Sequence, residues 1–187
     1  MKSPNEFWQK LAEDARPSLT DWVAPILYHL ARLMQARSTA EIGYGGGYCS
    51  IALGFHAKYF GGDHHVIDIN ERKKLYVAGA NRRHELRMKF HCLDATNCEW
   101  NIPLDLLFVD ALTDYESQVR LLFNFAAAIR KDGLIVVHDY YCSEEIRRAV
   151  DTFLDKANFQ GILLPYDGKP RLHRQPGKCG MAIARKL

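Results

Sequence analysis

The spacing of apolar positions changes near residue 39 and divides the chain into two parts. Before that point, apolar side chains recur at helical spacing over residues 21–37, which predicts a helix there. These side chains are Trp22, Ile26, Leu30 and Leu33. An earlier helix is predicted by the stretch "SPNE", in which Ser3 is an N-cap followed by proline, with a glutamate three residues after the cap. We therefore expect a helical cap over residues 1–37.

From residue 39 onward, short apolar runs alternate with amphipathic stretches. The runs are "TAEIG", "HHVIDIN", "MKFHCLDA", "LDLLFVDAL" and "GLIVVHDYY". This alternation is typical of a parallel sheet with helices on both faces. Only a basic loop rich in proline and glycine separates the last two runs, "FQGILLPY" and "GKCGMAIARK", so we predict an antiparallel hairpin at the end of the sheet.

Three residues are expected to mark the ends of helices. Asn70 and Ser143 stand where N-caps belong, and Gly133 stands where the helix after the fourth strand is expected to stop.

Composition limits the class of protein without identifying it. The chain has 187 residues, 48% of them hydrophobic, and a net charge of +3, which fits one ordinary globular domain. No apolar run reaches the roughly 18 residues that a membrane span needs, and the first residues do not resemble a secretion signal. The cysteines are scattered and odd in number, with no metal-like spacing. We therefore expect a reduced, cytoplasmic protein with no membrane partner.

The glycine-rich stretch "AEIGYGGGYCSIALG" follows the first predicted strand, which is where nucleotide-binding turns occur. A dinucleotide fingerprint would need a glycine at Tyr48 or, in the other frame, at Ser50, so both frames fail and a nicotinamide-dependent oxidoreductase is disfavoured. The pattern acid-x-G-x-G-x-G fits instead. Its residues are Glu41, Gly43, Gly45 and Gly47.

Two acids at the ends of the next strands suggest what such a turn would hold. Asp68 ends the second strand, where a carboxylate can accept hydrogen bonds from both hydroxyls of a ribose. Asp94 ends the third strand and could accept a hydrogen bond from an exocyclic amine such as that of adenine. Together these residues suggest an adenosine site with no phosphate requirement. The alternative for each acid is a helix or loop cap.

These motifs, together with "DLLFVDA" and "GLIVVHD", resemble the successive motifs of class I S-adenosylmethionine-dependent methyltransferases over roughly residues 39–185. The likeness is to small-molecule O-methyltransferases of the catechol type and of antibiotic sugar pathways. It implies an α/β, Rossmann-like, doubly wound seven-stranded sheet with a terminal antiparallel β-hairpin, preceded by N-terminal helices. It also implies one methyltransferase domain over residues 1–187, with the cap at 1–37 and a cofactor-binding core at 38–187.

The resemblance further implies which residues contact the cofactor. The glycine turn would face the methionine end, Asp68 the ribose, and Asp94 with Ala95 the adenine; Ser50 has the alternative of capping the following helix. The full set is Glu41, Gly43, Tyr44, Gly45, Gly47, Ser50, Asp68, Ile69, Asp94, Ala95 and Asp110.

The expected catalytic residues are Asp110, Asp139 and His138, at the ends of the fourth and fifth strands. In the metal-dependent relatives, positions matching Asp110 and Asp139 hold a divalent cation, and oxygen ligands suit Mg²⁺. His138 is a candidate general base, although strand alternation predicts that it points away from Asp139.

The match to the metal-dependent relatives is partial, so the need for a metal stays open. Tyr140 replaces the asparagine of the catechol type, and Thr113 replaces the histidine of the sugar type. Tyr115 and Glu116, by contrast, do resemble the sugar-type pattern.

Several alternatives for function and partners remain open. Basic runs at 81–91 and 167–178 could hold RNA or an anionic substrate, but a solvated surface is the commoner use of such runs. An RNA methyltransferase lacks support here, because no N-P-P-[YF] tetrapeptide follows the fourth strand and no Pro-Cys pair is present. A catalytically degenerate S-adenosylmethionine-binding protein is the other alternative. We expect a small hydroxylated acceptor, no nucleic acid, and a homodimer through the N-terminal helices as one option.

Overall fold

Seven strands form one sheet in the order β3-β2-β1-β4-β5-β7-β6 in the computed structural model, which describes residues 22–111, 114–166 and 179–187. The strands are β1 (Ser38–Ile42), β2 (Asp63–Asp68), β3 (Lys89–Cys92), β4 (Leu104–Val109), β5 (Ile129–His138), β6 (Phe159–Tyr166) and β7 (Cys179–Lys186). β1 to β5 are parallel. β7 lies antiparallel between β5 and β6. The predicted fold class and terminal hairpin are therefore confirmed.

Five helices cover the two faces of the sheet in the described part of the chain. They are α1 (Val23–Leu33), α2 (Tyr48–Phe60), α3 (Lys73–His84), α4 (Tyr115–Ala126) and α5 (Glu144–Lys156). Leu106 and Phe108 of β4 belong to the core under α1, α2 and α3. Leu107 and Val109 of the same strand belong to the core under α4 and α5. Because both faces are buried, the strands read as continuous apolar runs.

Helix ends follow the sequence-based expectations only in part. Ser143 is the N-cap of α5, and its hydroxyl accepts a hydrogen bond from the Ile146 amide. Asn70 lies two residues before the N-cap of α3, where its side chain accepts from the Arg72 amide. Gly133 was expected to end a helix, and this is wrong: α4 ends at Ala126 and Gly133 lies within β5. Residues from 129 onward pair with β4 as a strand, so they do not continue α4.

The N-terminal region is described from Trp22 onward. The helix predicted after Ser3 therefore lies outside the described residues, and the division into a cap and a core stays a prediction. α1 begins at Val23 and ends at Leu33, short of the predicted residue 37, and Gln35 just beyond it has a φ of 52°.

Two further expectations concern membranes and disulfides. Among the described helices, none is long and apolar enough to cross a bilayer. Among the described cysteines, Cys49, Cys92, Cys98 and Cys142 form no disulfide.

Candidate active site

The sheet reverses its strand order between β1 and β4, and the candidate site lies at the carboxyl ends of these two strands. β1 is paired on one side with β2 and on the other with β4. Just past β1, the Gly43 amide donates to the Ile67 carbonyl, and the Asp110 amide donates to the Ile42 carbonyl. Open parallel sheets form a ligand crevice at such a reversal because the two connecting loops run in opposite directions.

The glycines of the turn have conformations that other residues rarely adopt. Gly43, Gly45 and Gly47 have φ values of 91°, 47° and 86°. A Cβ on Gly43 would lie 2.5 Å from the Asp110 carbonyl oxygen. A Cβ on Gly45, by contrast, would meet only open space and the Asp110 carboxylate 4.0 Å away. The backbone at Gly45 and the Asp110 side chain therefore border the same space.

Glu41, the acid of the glycine motif, is buried in β1. Its carboxylate accepts a hydrogen bond from the Ser50 hydroxyl, and both residues are almost fully buried. Burial raises the pKa of the Glu41 carboxyl well above its usual range, since the bond from Ser50 only partly opposes it, and the nearby Asp110 and Asp68 raise it further. Ser50 therefore holds Glu41 in place.

Asp68 lies at the end of β2 and braces the glycine turn. One carboxylate oxygen accepts a hydrogen bond from the Tyr44 amide at 3.0 Å, and the other accepts from the Asn70 amide at 2.8 Å. Each carboxylate oxygen has two lone pairs, so both can accept one further bond, as two ribose hydroxyls would require. Ile69, the next residue, has 72% of its surface exposed beside this carboxylate.

Lys73 is a residue at this site that sequence reasoning missed. Its ammonium donates to the Gly45 carbonyl at 3.0 Å and lies 5.7 Å from the centre of the Tyr44 ring. Tyr44 is itself buried, and its ring would be displaced by a Cβ on Gly47. No sequence signal distinguishes Lys73 within its basic run, because this contact joins α3 to a turn 28 residues away.

Asp94 lies in the loop after β3, next to Asp68, where the Leu93 amide donates to the Asp68 carbonyl. Its carboxylate accepts hydrogen bonds from the Thr96 amide and hydroxyl and from the Asn97 side chain. These bonds lower the pKa of Asp94. Asp94 therefore caps its own loop, as the alternative interpretation held, and one oxygen keeps room for a further donor. Ala95 beside it is buried.

Asp110, His138 and Asp139 form a compact cluster at the ends of β4 and β5. The Nδ1 atom of His138 lies 3.2 Å from Oδ1 of Asp110 and 3.2 Å from Oδ1 of Asp139. The register of β4 with β5 explains the first contact, because extending the pair Val109–Val137 by one residue places Asp110 opposite His138. Ligand atoms of all three side chains lie within 4.8 Å of one another.

The expectation that His138 points away from Asp139 is wrong. Strict alternation would place these two side chains on opposite faces, but Asp139 has a φ of 60°, in the left-handed region. The strand ends at His138, and the turned backbone brings the Asp139 carboxylate to the same side as the imidazole.

His138 is nearly inaccessible to solvent, with 3% of its surface exposed. Burial lowers the pKa of the imidazole, but the hydrogen bonds and charges of Asp110 and Asp139 together outweigh it and raise the pKa to about 9. Nε2 has no hydrogen-bond partner among the described residues, and the ring packs near Trp22 and Phe108. The contacts of Nδ1 with the two carboxylates and the packing against aromatic rings therefore fix the orientation of the imidazole ring.

Tyr140, where the chain departs from the catechol-type pattern, and Tyr115, where it resembles the sugar-type pattern, both contact α5 and not this cluster. The Tyr140 hydroxyl donates to Asp151 of α5 at 2.7 Å, and the side chain is buried. The Tyr115 hydroxyl bonds to Thr152 and its ring lies under Arg148, so Tyr115 is also directed to α5. Thr113 lies outside the described residues.

A family model described as "Methyltransferase domain" matches residues 40–140, a span that includes the glycine turn and the Asp110–His138–Asp139 cluster. No curated protein matches the chain. Among solved structures, the O-methyltransferase TomG from Streptomyces achromogenes, involved in tomaymycin synthesis and bound to S-adenosylmethionine, is similar with a TM-score of 0.73 and 20% identity. The alignment covers 99% of this chain and 91% of that chain.

An O-methyltransferase from Bacillus cereus in complex with S-adenosylhomocysteine gives a TM-score of 0.74 at 20% identity, covering 100% of this chain and 92% of that one. At this level of identity the likeness shows the fold. The family model covers more than half of the chain, and it agrees with the resemblance found in the sequence. The chain therefore belongs to the methyltransferase-domain family.

Proposed function

We propose that the protein transfers a methyl group from S-adenosylmethionine to a hydroxyl of a small molecule. The observation that carries this proposal is the shared space between the open backbone at Gly45 and the Asp110 carboxylate, 4.0 Å from a Cβ position there. In this arrangement a donor held by the glycine turn would lie next to groups that can act on an acceptor. The similar solved structures described above, which are O-methyltransferases bound to S-adenosylmethionine or its product, support the same assignment.

The residues around the turn fit the donor. The free lone pairs of Asp68 suit a ribose, and exposed Ile69 offers an apolar surface for an adenine ring. Glu41 lies beneath the turn, and Gly45 leaves the backbone accessible. S-adenosylmethionine supplies a methyl group on a sulfonium, and the acceptor oxygen displaces S-adenosylhomocysteine in line.

The cluster of Asp110, His138 and Asp139 would orient the acceptor hydroxyl and receive its proton. Because Nδ1 of His138 contacts both carboxylates and its own pKa is raised to about 9, the group that takes the proton would be the carboxylate of Asp110 or Asp139. The donor set also fits a divalent cation held by Asp110 and Asp139. A cation bound there lowers the pKa of an acceptor hydroxyl.

Binding of S-adenosylhomocysteine is the first test. We expect it to raise the melting temperature of the protein, whereas NAD does not, because a ligand that binds only the folded state stabilises it. Asp68→Asn removes a charged acceptor and should weaken binding about tenfold or more, given roughly 1.5–3 kcal/mol for a hydrogen bond to a charged group. Asp155→Asn, the same change at an exposed site on α5, is the control.

Methyl transfer to a panel of hydroxylated small molecules, with RNA as a further arm, tests the acceptor. Transfer to a small molecule that is lost in Asp139→Ala supports the proposal. Transfer to RNA alone would favour the RNA methyltransferase, and binding without any transfer would favour a degenerate cofactor-binding protein. A cytoplasmic location and a homodimer through the N-terminal helices stay predictions.

A further inference from the structure

The cation site of the proposed function needs protein ligands beyond Asp110 and Asp139, and this inference rests on that proposed function. Catechol-type relatives have an asparagine at the position of residue 140, which is Tyr140 in this chain. Its hydroxyl is bonded to Asp151 and its side chain is buried, so this residue is not available to the cluster. A site limited to Asp110 and Asp139 would lack a third protein ligand.

His138 is in the position to supply that ligand. Its Nδ1 lies between the two carboxylates, 3.2 Å from Oδ1 of each. Two atoms that ligate one cation at about 2.1 Å are separated by about 3.0 to 3.4 Å, depending on the coordination angle. The 3.2 Å contacts, which are hydrogen bonds or ion pairs in the metal-free protein, therefore also match the spacing of neighbouring ligands of one ion.

The backbone at Asp139 gives a second, independent indication. An aspartate with a φ of 60° adopts a conformation that costs free energy relative to an extended one, and such residues cluster at functional sites. Here the left-handed conformation turns the carboxylate toward Nδ1. The Asp139 carbonyl accepts hydrogen bonds from the Cys142 and Ser143 amides, which hold this turn.

We infer that Nδ1 of His138 is the third protein ligand of a divalent-metal site formed with Asp110 and Asp139, and that the site prefers Mn²⁺ or Co²⁺ to Mg²⁺. The preference follows from the donor atoms. Mg²⁺ favours oxygen ligands, whereas imidazole nitrogen binds later first-row metals more strongly. Nδ1 has to be unprotonated to ligate a metal, so metal binding and protonation compete at this atom.

The test measures metal binding by the full chain, without a histidine tag, by calorimetry with Mn²⁺, Co²⁺ and Mg²⁺ separately. We expect Mn²⁺ and Co²⁺ to bind about tenfold or more tightly than Mg²⁺. Electron spin-echo spectra of the Mn²⁺-loaded protein should show modulation from one ¹⁴N nucleus. This readout reports a nitrogen ligand directly and does not depend on catalysis.

Three variants separate a ligand from a structural role. His138→Asn replaces the nitrogen ligand with an amide oxygen and should abolish the ¹⁴N modulation and reduce the preference for Mn²⁺ over Mg²⁺. Asp139→Asn should weaken the binding of both metals. His29→Asn, the same change at an exposed histidine of α1, should alter neither property. If His138→Asn does not fold, the spectrum of the unmodified protein still decides.

Equal binding of Mn²⁺ and Mg²⁺, no metal binding, or Mn²⁺ binding without ¹⁴N modulation would overturn this inference. Methyl transfer by metal-free protein would then leave the proposed function intact. Conversely, metal binding with the expected spectrum but no stabilisation by S-adenosylhomocysteine would contradict the proposed function and leave the metal site in place.

Discussion

Gly43 shows how closely the turn after β1 is packed against the end of β4. Its φ of 91° lies in the left-handed region, and a Cβ there would lie 2.5 Å from the Asp110 carbonyl oxygen. A side chain would therefore force apart the two loops that border the site. Gly79 on α3 differs, because no atom of the described residues lies within 4 Å of a Cβ built there.

Gly43→Ala should destabilise the protein by about 2–4 kcal/mol, from the strained backbone and the overlap with Asp110. It should also reduce the stabilisation by S-adenosylhomocysteine. Gly79→Ala should instead add about 0.5–1 kcal/mol, because alanine favours a helix over glycine. Urea denaturation of both variants measures the difference. Equal effects would contradict the packing described for Gly43.

For single residues, the sequence predicted the acidic side chains of the site but not the contacts between them. The strand-end positions of Asp68, Asp110 and Asp139 followed from the apolar runs before them. The contact of Asp139 with His138 did not, because it depends on a left-handed backbone conformation that no local pattern marks. Asp94 was expected to end the third strand but lies two residues beyond β3, and its bonds to Thr96 and Asn97 form only in the folded loop.

For α1, the sequence predicted the helix but not all of its buried face. The sequence predicted a helix here, and α1 confirms it. The predicted apolar stripe included Leu33, which is 82% exposed. The fully buried side chains are instead Val23, Ala24, Leu27 and Ala31, which face the core under α2 and α3. The predicted stripe was chosen from large apolar side chains and therefore left out the alanines. Small residues such as alanine nevertheless allow a helix to pack closely against its neighbours.

Leu27→Ala should destabilise the protein by about 2–5 kcal/mol, since it removes a fully buried side chain and leaves a cavity. Leu33→Ala on the same helix should change the free energy of unfolding by less than about 0.5 kcal/mol, because its side chain is exposed. Equal losses would mean that the buried face of α1 is assigned wrongly.

In the whole molecule, several histidines are buried around β2 and β3. Burial lowers the pKa of His64 to about 3 and that of His65 to about 4. Burial also lowers the pKa of His56 and of His91. His65 and His91 share a 2.9 Å hydrogen bond, and the His64 ring bonds to the Thr39 hydroxyl. The folded protein thus holds these rings neutral where the unfolded chain would protonate them.

The contribution of these rings to stability should therefore fall as the pH drops below about 6.5, the ordinary pKa of histidine in an unfolded chain, whereas His138 and Glu41, whose pKa values are raised by folding, act in the opposite direction. The sign follows from proton binding: between the unfolded and folded pKa values the unfolded chain binds more protons, so acid favours unfolding. Chemical denaturation at pH 7.5 and pH 5.0 measures the loss. His64→Gln should lose less stability over this range, and an identical loss would exclude His64 as a cause.

The order of the strands was not predicted, because apolar spacing gives the kind of element and not its neighbour in the sheet. Because β7 lies between β5 and β6, it pairs residues that are far apart in sequence, such as Val136 and Ile183.

This placement has a consequence for biosynthesis. β7 leaves the ribosome after every other strand of the sheet, yet β5 pairs with it and β6 reaches the sheet only through it. While residues 179–186 are still inside the exit tunnel, β5 remains an open edge that exposes unpaired backbone groups. Until this segment has left the tunnel, we expect the nascent chain to be prone to aggregation through the open edge of β5.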